Sequence, residues 1–61
     1  MLKELEVVRL KRTVSTIPLP QGTKGTVVWV SSSDPPGGLV EFMDEMGKTL
    51  GVYPVEEADL E

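Results

Sequence analysis

The side chains in this chain that could do acid–base chemistry are carboxylates in two short clusters. Asp44 is followed directly by Glu45, and Glu56, Glu57 and Asp59 lie together near the C-terminus. Paired carboxylates can act as general acid and general base, or they can hold a divalent cation. The first pair falls in a predicted hairpin turn, where carboxylates are surrounded by water, and neither cluster has the oxygen-rich spacing of a cation loop.

Nucleophilic and transition-metal chemistry have no candidate residues. The chain contains no histidine and no cysteine, so the commonest general base and the usual ligands of zinc are missing. The three serines at 31–33 therefore have no base to activate them. We expect a protein that is not an enzyme, holds no metal or cofactor, and works by binding.

The elements that position these residues are short strands. Patterns rich in β-branched and apolar residues predict strands over 6–10, 24–30, 39–43 and 48–53. At the first of them, either Glu6 points inward or the strand begins after it. Alternation predicts the inward-facing residues, which are Val8, Leu10, Val28, Val30, Val40, Phe42, Leu50 and Val52.

Turn signals separate the strands. Residues 11–21 form a predicted loop because two prolines interrupt any ladder there, and its Ile17 and Leu19 are expected to cover one mouth of a barrel. Gly22 and Gly25 predict a tight turn before the second strand, and residues 31–38 a turn dense in Ser, Pro and Gly.

The C-terminal third contains a hairpin and a short tail. Residues 44–47 predict the hairpin turn, with Gly47 at the position of positive φ. Pro54 is expected to end the fourth strand. Residues 55–60 then continue as a single helical turn or as a short fifth strand, with Leu60 anchoring the tail to the core.

Four to five short antiparallel strands at spacings of about 8–12 residues predict an all-β fold, a small barrel in one domain over residues 1–61. With one Phe, one Trp and one Tyr, the core must rest on Val and Leu. Such a thin core could be completed by formation of a homo-oligomer. No apolar run is long enough to span a membrane and no secretory signal is visible, so we expect a cytoplasmic protein.

Charge is divided unevenly along the chain, whose net charge is −4. Residues 1–24 hold five cations and two acids, and residues 25–61 hold one cation and eight acids. The acidic half could steer a basic partner towards it, or the charges could simply keep a small domain soluble; we favour the second interpretation.

The chain resembles two known patterns. Gly22 to Val30 is similar to the glycine-plus-strand element of SH3-like barrels, including the KOW type of ribosomal and transcription proteins. Nearly the whole chain resembles a small bacterial family that is a domain of unknown function. The matching positions are Leu5, Val8 and Leu10; Gly22, Gly25, Thr26, Val27, Val28 and Val30; Val40, Glu41 and Phe42; Asp44, Gly47 and Thr49; and Ala58, Asp59 and Leu60. This resemblance implies an SH3-like barrel with a short C-terminal turn, and an antitoxin-like or inhibitory partner of a co-encoded protein.

The predicted binding surface is an apolar stripe of Trp29, Met43 and Tyr53 on adjacent strands, of residue types enriched at the centres of protein interfaces. Glu41 and Asp44 would lie on its rim and set the orientation of a protein partner. Alternatively, the loop at 11–21 folds over the stripe and makes it a second small core.

The rival hypothesis is a nucleic-acid-associated module. Phosphate recognition requires a cluster of cations, and the N-terminal half offers four that could meet at the start of the second strand: Arg9, Lys11, Arg12 and Lys24. The acidic pI of about 4.6 and the small number of aromatic residues count against it, so the sequence favours a protein partner.

Overall fold

A computed structural model describes residues 2–61, which form one antiparallel meander. The strands are β1 (Val7–Arg9), β2 (Lys24–Ser31), β3 (Gly37–Met43) and β4 (Thr49–Glu56), and they lie in the sheet in chain order. A single 3₁₀ turn, Glu57–Asp59, is the only helical element of the described residues. The predicted all-β class with four antiparallel strands and a short C-terminal turn is confirmed.

The chain closes back on its first strand. After the 3₁₀ turn, Leu60 forms an isolated bridge with Leu10, and the N–H groups of Arg9 and Glu61 each donate to the other's carbonyl oxygen at 2.9 Å. The Lys11 N–H donates to the Asp59 carbonyl at 2.8 Å. The tail therefore combines the two predicted alternatives, a helical turn followed by a strand-like bridge.

The core lies between the curled sheet and the segments that cross it. Phe42, Leu10, Val27 and Val40 are the largest fully buried side chains. Burial of apolar area on this scale is the main source of stability in a small domain. The remaining buried side chains are Leu2, Val8, Ile17, Val55 and Leu60. The inward positions predicted for β1 and β3 are confirmed.

Gly25 lies within β2, inside the strand predicted over 24–30 and beyond the turn that the two glycines also predicted. It pairs with Val8 on one side and with Phe42 on the other. A Cβ at this position would lie 2.5 Å from the Val40 Cγ1 and 3.0 Å from the Phe42 ring. Glycine is therefore required here because side chains of β3 occupy the space, whereas Gly22, with φ of +89°, is the residue that makes the turn.

Two register shifts change which residues face the core. The first lies between Val27 and Trp29 in the pairing with β3, so Val27 is buried and Val28, predicted inward, is 40% exposed. Val30 packs partly against the core, as predicted. A bulge inserts an extra residue and resets the alternation, and single-residue patterning does not reveal it.

The second shift lies opposite Phe42 and Met43, where Gly51 pairs with Phe42 and Thr49 with Met43. Because Leu50 is the extra residue, Tyr53 and Val55 face the core, while Leu50 and Val52 are exposed. The predicted burial of Leu50 and Val52 was therefore wrong, as was the outward direction of Tyr53.

The strand ends also differ from the predictions. Pro54 lies inside β4, which continues to Glu56; an edge strand tolerates proline because one side of its backbone needs no partner. Gly37 and Gly38, predicted within a turn, begin β3. β1 begins after Glu6, and Gly47 has the predicted positive φ, +83°. Within residues 2–61, no helix is long and apolar enough to cross a membrane.

Candidate binding face

The sheet has an outer face that carries several exposed or half-buried apolar side chains. Strand register places Val7, Thr26, Glu41 and Val52 in one row across it, and Trp29, Leu39 and Pro54 in the next. Met43 belongs to the row beyond Glu41. We call this surface the outer face and define its apolar members as Val7, Val28, Trp29, Leu39, Met43, Val52 and Pro54.

Three members of the outer face are more than half exposed: Val7 at 60%, Trp29 at 54% and Val52 at 51%. Contiguous apolar residues on the surface of a soluble domain mark interaction sites more often than isolated ones do. Tryptophan in particular combines a large contact area with few rotatable bonds, which makes it a frequent anchor at interfaces. The outer face is therefore the strongest candidate site on this molecule.

Two backbone irregularities meet beside Trp29. The β2 bulge lies at Val28, and the Leu5 N–H donates to the Val27 carbonyl at 2.6 Å. Leu5 has φ of +68°, a left-handed conformation that is unfavourable for leucine, and its side chain is 76% exposed. Bulges and strained residues concentrate at functional sites because they re-aim side chains that a regular strand would place elsewhere.

The structure divides the predicted Trp29, Met43 and Tyr53 stripe. Trp29 and Met43 lie on the outer face, as predicted, whereas the Tyr53 ring lies on the inner side, 6.3 Å from the Phe42 ring centroid. Gly51 leaves room for it, because a Cβ there would lie 2.8 Å from Tyr53 Cε2. The place of Tyr53 on the outer face is taken by Val52.

The loop at 11–21 does not cover this surface. Ile17 is buried in the core and Leu19 and Val14 pack against it. The exposure of Trp29 shows that the stripe is not a second core formed with that loop.

Alternation could have found two further members of the outer face. Val7 and Leu39 each directly precede a buried valine in a strand, so regular patterning already places them outside. Val28 and Val52 could not be found in this way. Val28 is the extra residue of the β2 bulge, and Val52 lies two positions after Leu50, the extra residue of β4. Leu5 was missed because it precedes β1 and its left-handed backbone has no sequence signal.

The acidic residues predicted for the rim have local partners. The Glu41 Oε2 accepts a hydrogen bond from the Thr49 hydroxyl at 2.8 Å, on the outer face itself. The Asp44 Oδ1 accepts the N–H groups of Met46 and Lys48, both at 2.9 Å, and thereby holds the hairpin turn. Asp44 is thus a turn residue near the end of the outer face, and Glu41 is a polar group within it.

The four predicted phosphate-binding cations fall into two pairs. Arg9 lies directly opposite Lys24 in the β1–β2 register, and its Nη1 donates to the Gly22 carbonyl at 3.1 Å. Arg12 lies 3.5 Å from the Asp59 carboxylate, and Lys11 lines a cleft together with glutamates of the C-terminal segment. The second pair is therefore offset by nearby acids.

The remaining candidates for chemistry have structural surroundings. The Glu57 Oε1 accepts the Leu2 N–H at 3.3 Å, and the hydroxyls of Ser31 and Ser33 bond to each other at 2.7 Å. Across residues 2–61, no group of three or more carboxylates gathers in a way that could hold a metal ion.

This geometry defines a small antiparallel β domain with an exposed apolar sheet face. Residues 4–61 match the family model described as "Domain of unknown function (DUF4926)", and the chain belongs to that family. No curated protein and no solved structure matches the chain.

Proposed function

We propose that this protein is a non-catalytic protein-binding module whose partner packs against the outer face. The observation that carries this proposal is the 54% exposure of Trp29 in the row of the outer face that it shares with Leu39 and Pro54. An interface core is depleted of charge and enriched in aromatic residues and methionine, with polar groups at its rim. The outer face matches this in its apolar members and in Arg9 and Lys24 at one end, and it departs from it at Glu41, which lies within the face and accepts a hydrogen bond from Thr49.

Most of the binding free energy is expected to come from the region where Leu5, Val28 and Trp29 adjoin. A few central residues dominate most interfaces, and they lie where water is excluded on binding. The left-handed Leu5 and the bulge at Val28 both turn apolar side chains outward at this point. The side chains of Leu5 and Val28 are exposed and lie outside the core, which supports a role in binding.

The proposal extends to the identity of the partner and to the fold family. By its resemblance to small bacterial operon-encoded proteins, the chain would bind and inhibit a co-encoded protein in the manner of an antitoxin. The SH3-like description is likewise a proposal, supported by the 3₁₀ turn and by the tail that bonds to β1.

The proposal is tested by replacing Trp29 and measuring affinity. A tagged copy is used to isolate co-eluting protein from cells that carry it, and the purified partner is titrated by calorimetry against wild type, Trp29→Ser and Met46→Ser. Met46 is the matched control, because it is a 91% exposed apolar residue at the hairpin tip, away from the outer face. We expect Trp29→Ser to weaken binding by about 2 kcal/mol or more, as for a central anchor, and Met46→Ser to leave it unchanged.

Equal affinities for the three proteins would refute the proposal, provided that circular dichroism shows both variants folded. If Trp29→Ser unfolds, Trp29 is needed for the stability of the fold, and the proposed binding surface loses its main anchor residue.

The nucleic-acid alternative is supported by the Arg9–Lys24 pair alone, and salt dependence tests it. Phosphate contacts release counterions, so binding to a generic duplex should weaken steeply as salt rises. Absence of binding at low salt would end this alternative, and a steep dependence abolished by Arg9→Gln together with Lys24→Gln would establish it.

A further inference from the structure

Among residues 2–61, Glu41 is the carboxylate that the strand register places inside the outer face and not at its edge. It lies between Thr26 of β2 and Val52 of β4, and Leu39 and Met43 precede and follow it by two residues on the same side of β3. A partner that covers these apolar residues must also cover Glu41. A charge on the rim of an interface, in contrast, stays in contact with water.

The hydrogen bonding of Glu41 is incomplete in the free protein. The Thr49 hydroxyl donates to Oε2 at 2.8 Å, and no other donor within residues 2–61 reaches the carboxylate. The closest cation in the register is Lys24, which lies opposite Met43 and diagonally from Glu41. No ion pair of the described residues includes Glu41. The second carboxylate oxygen and the negative charge therefore depend on water.

Covering Glu41 without an opposite charge would be unfavourable. A carboxylate loses its hydration when another surface packs over it, and one neutral hydroxyl does not compensate for this loss. A cationic side chain does, and charge pairs of this kind determine which partners an interface accepts. Arginine fits the vacant positions well, because its planar guanidinium can donate two parallel N–H groups to both carboxylate oxygens.

We propose that the outer face selects partners that place a cationic side chain, an arginine or a lysine, over Glu41. This inference rests on the proposed function, since it requires that a protein covers the outer face. It adds the chemistry of the partner's surface, which is an apolar patch that packs on Trp29 and contains one cation. A purely apolar surface is rejected because it leaves the Glu41 charge dehydrated and unpaired.

The test uses a displayed library of small helical domains, each with one randomised face. Clones are selected on the wild-type protein, and those that do not bind folded Trp29→Ser are kept, so that every clone studied binds the outer face. We expect these clones to share an arginine or a lysine in the randomised face. Selection on Glu41→Gln should yield clones without this shared cation, because the uncharged amide does not require one.

A matched control separates the effect of Glu41 from that of net charge. Asp34→Asn also removes one negative charge, at an exposed position between β2 and β3 that is not part of the outer face. Selection on Asp34→Asn should therefore yield the same shared cation as selection on the wild-type protein.

Affinity measurements on one selected clone then assign its cation to Glu41. We expect Glu41→Gln to weaken binding by about tenfold or more, because the amide keeps the size of the side chain and removes its charge. Replacing the clone's cation with glutamine should cause a similar loss, and the two losses should not add, since both substitutions break the same pair. Asp34→Asn should stay within about threefold of wild type, because an exposed, distant charge is screened by salt.

Three results would overturn the inference and leave the outer face as the binding site. The first is a set of Trp29-dependent clones that share no cation, and the second is equal affinity for wild type and Glu41→Gln. The third is a loss of affinity on Lys24→Gln that replacement of the clone's cation does not reproduce, which would show that Lys24 itself pairs with Glu41. If no clone depends on Trp29, the outer face is not a docking surface, and the proposed function fails as well.

Discussion

Single side chains in this protein have tasks that residue type alone did not reveal. Gly25 is the clearest case, because two glycines three apart are typical of a turn, yet only Gly22 makes one. Gly25 instead packs against the side chains of Val40 and Phe42, because β3 is the strand that pairs with β2 at this position. Val40 and Phe42 themselves were predictable, since β3 alternates without interruption up to its end.

Substituting Gly25 tests this packing role. Gly25→Ala adds a methyl group where the Val40 Cγ1 would lie 2.5 Å away, so we expect the free energy of unfolding to fall by about 1–3 kcal/mol. Urea denaturation measures the change. Thr13→Ala, at an exposed loop position, should change stability by no more than about 0.5 kcal/mol. An unchanged midpoint for Gly25→Ala would show that the strands do not meet as described.

The type and order of the elements could be predicted from the sequence. Which residues of each strand face the core was harder to predict. Four strands, their turns and the terminal helical turn follow from patterning and turn residues. The faces of β2 and β4 do not, because one extra residue at Val28 and another at Leu50 each reset the alternation. The one local signal was Gly51 between Leu50 and Val52, since glycine inside a strand often marks a bulge.

The same substitution at two positions of β4 tests its register. Val55 is buried and Val52 is 51% exposed. Val55→Thr buries a hydroxyl and should lower the free energy of unfolding by about 1–3 kcal/mol, whereas Val52→Thr should change it by no more than about 0.5 kcal/mol. Thermal or urea denaturation of both variants provides the comparison. If Val52→Thr were the more destabilising of the two variants, β4 would follow the regular alternation that the sequence pattern predicts, with Val52 facing the core.

The closing tail can be tested at its last two residues. Leu60 is buried, while Glu61 is exposed and contributes its backbone to the pairing with Arg9. We expect Leu60→Ala to destabilise the domain by about 2–5 kcal/mol, which could unfold a chain of this size, and Glu61→Ala to be almost neutral. Equal effects in denaturation experiments would mean that the tail does not anchor the core.

At the scale of the whole molecule, the two sides of the sheet differ in their surroundings. The inner side holds the core, with Ile17 and Leu60 covering it, and the outer side leaves apolar residues in contact with water. The outward direction of Trp29 was predicted from the sequence, although one of the two flanking residues predicted inward, Val28, is itself exposed. The full membership of the outer face required the register of all four strands.

The most direct measurement of the central proposal uses Trp29, the single tryptophan, as its own probe. Its fluorescence is recorded in the free protein and during titration with the purified partner. Burial of the indole at the interface should shift emission to the blue and suppress acrylamide quenching, with saturation at the calorimetric stoichiometry. If binding saturates while the emission and quenching of Trp29 stay as in the free protein, the partner binds elsewhere, and the outer face is not the binding site.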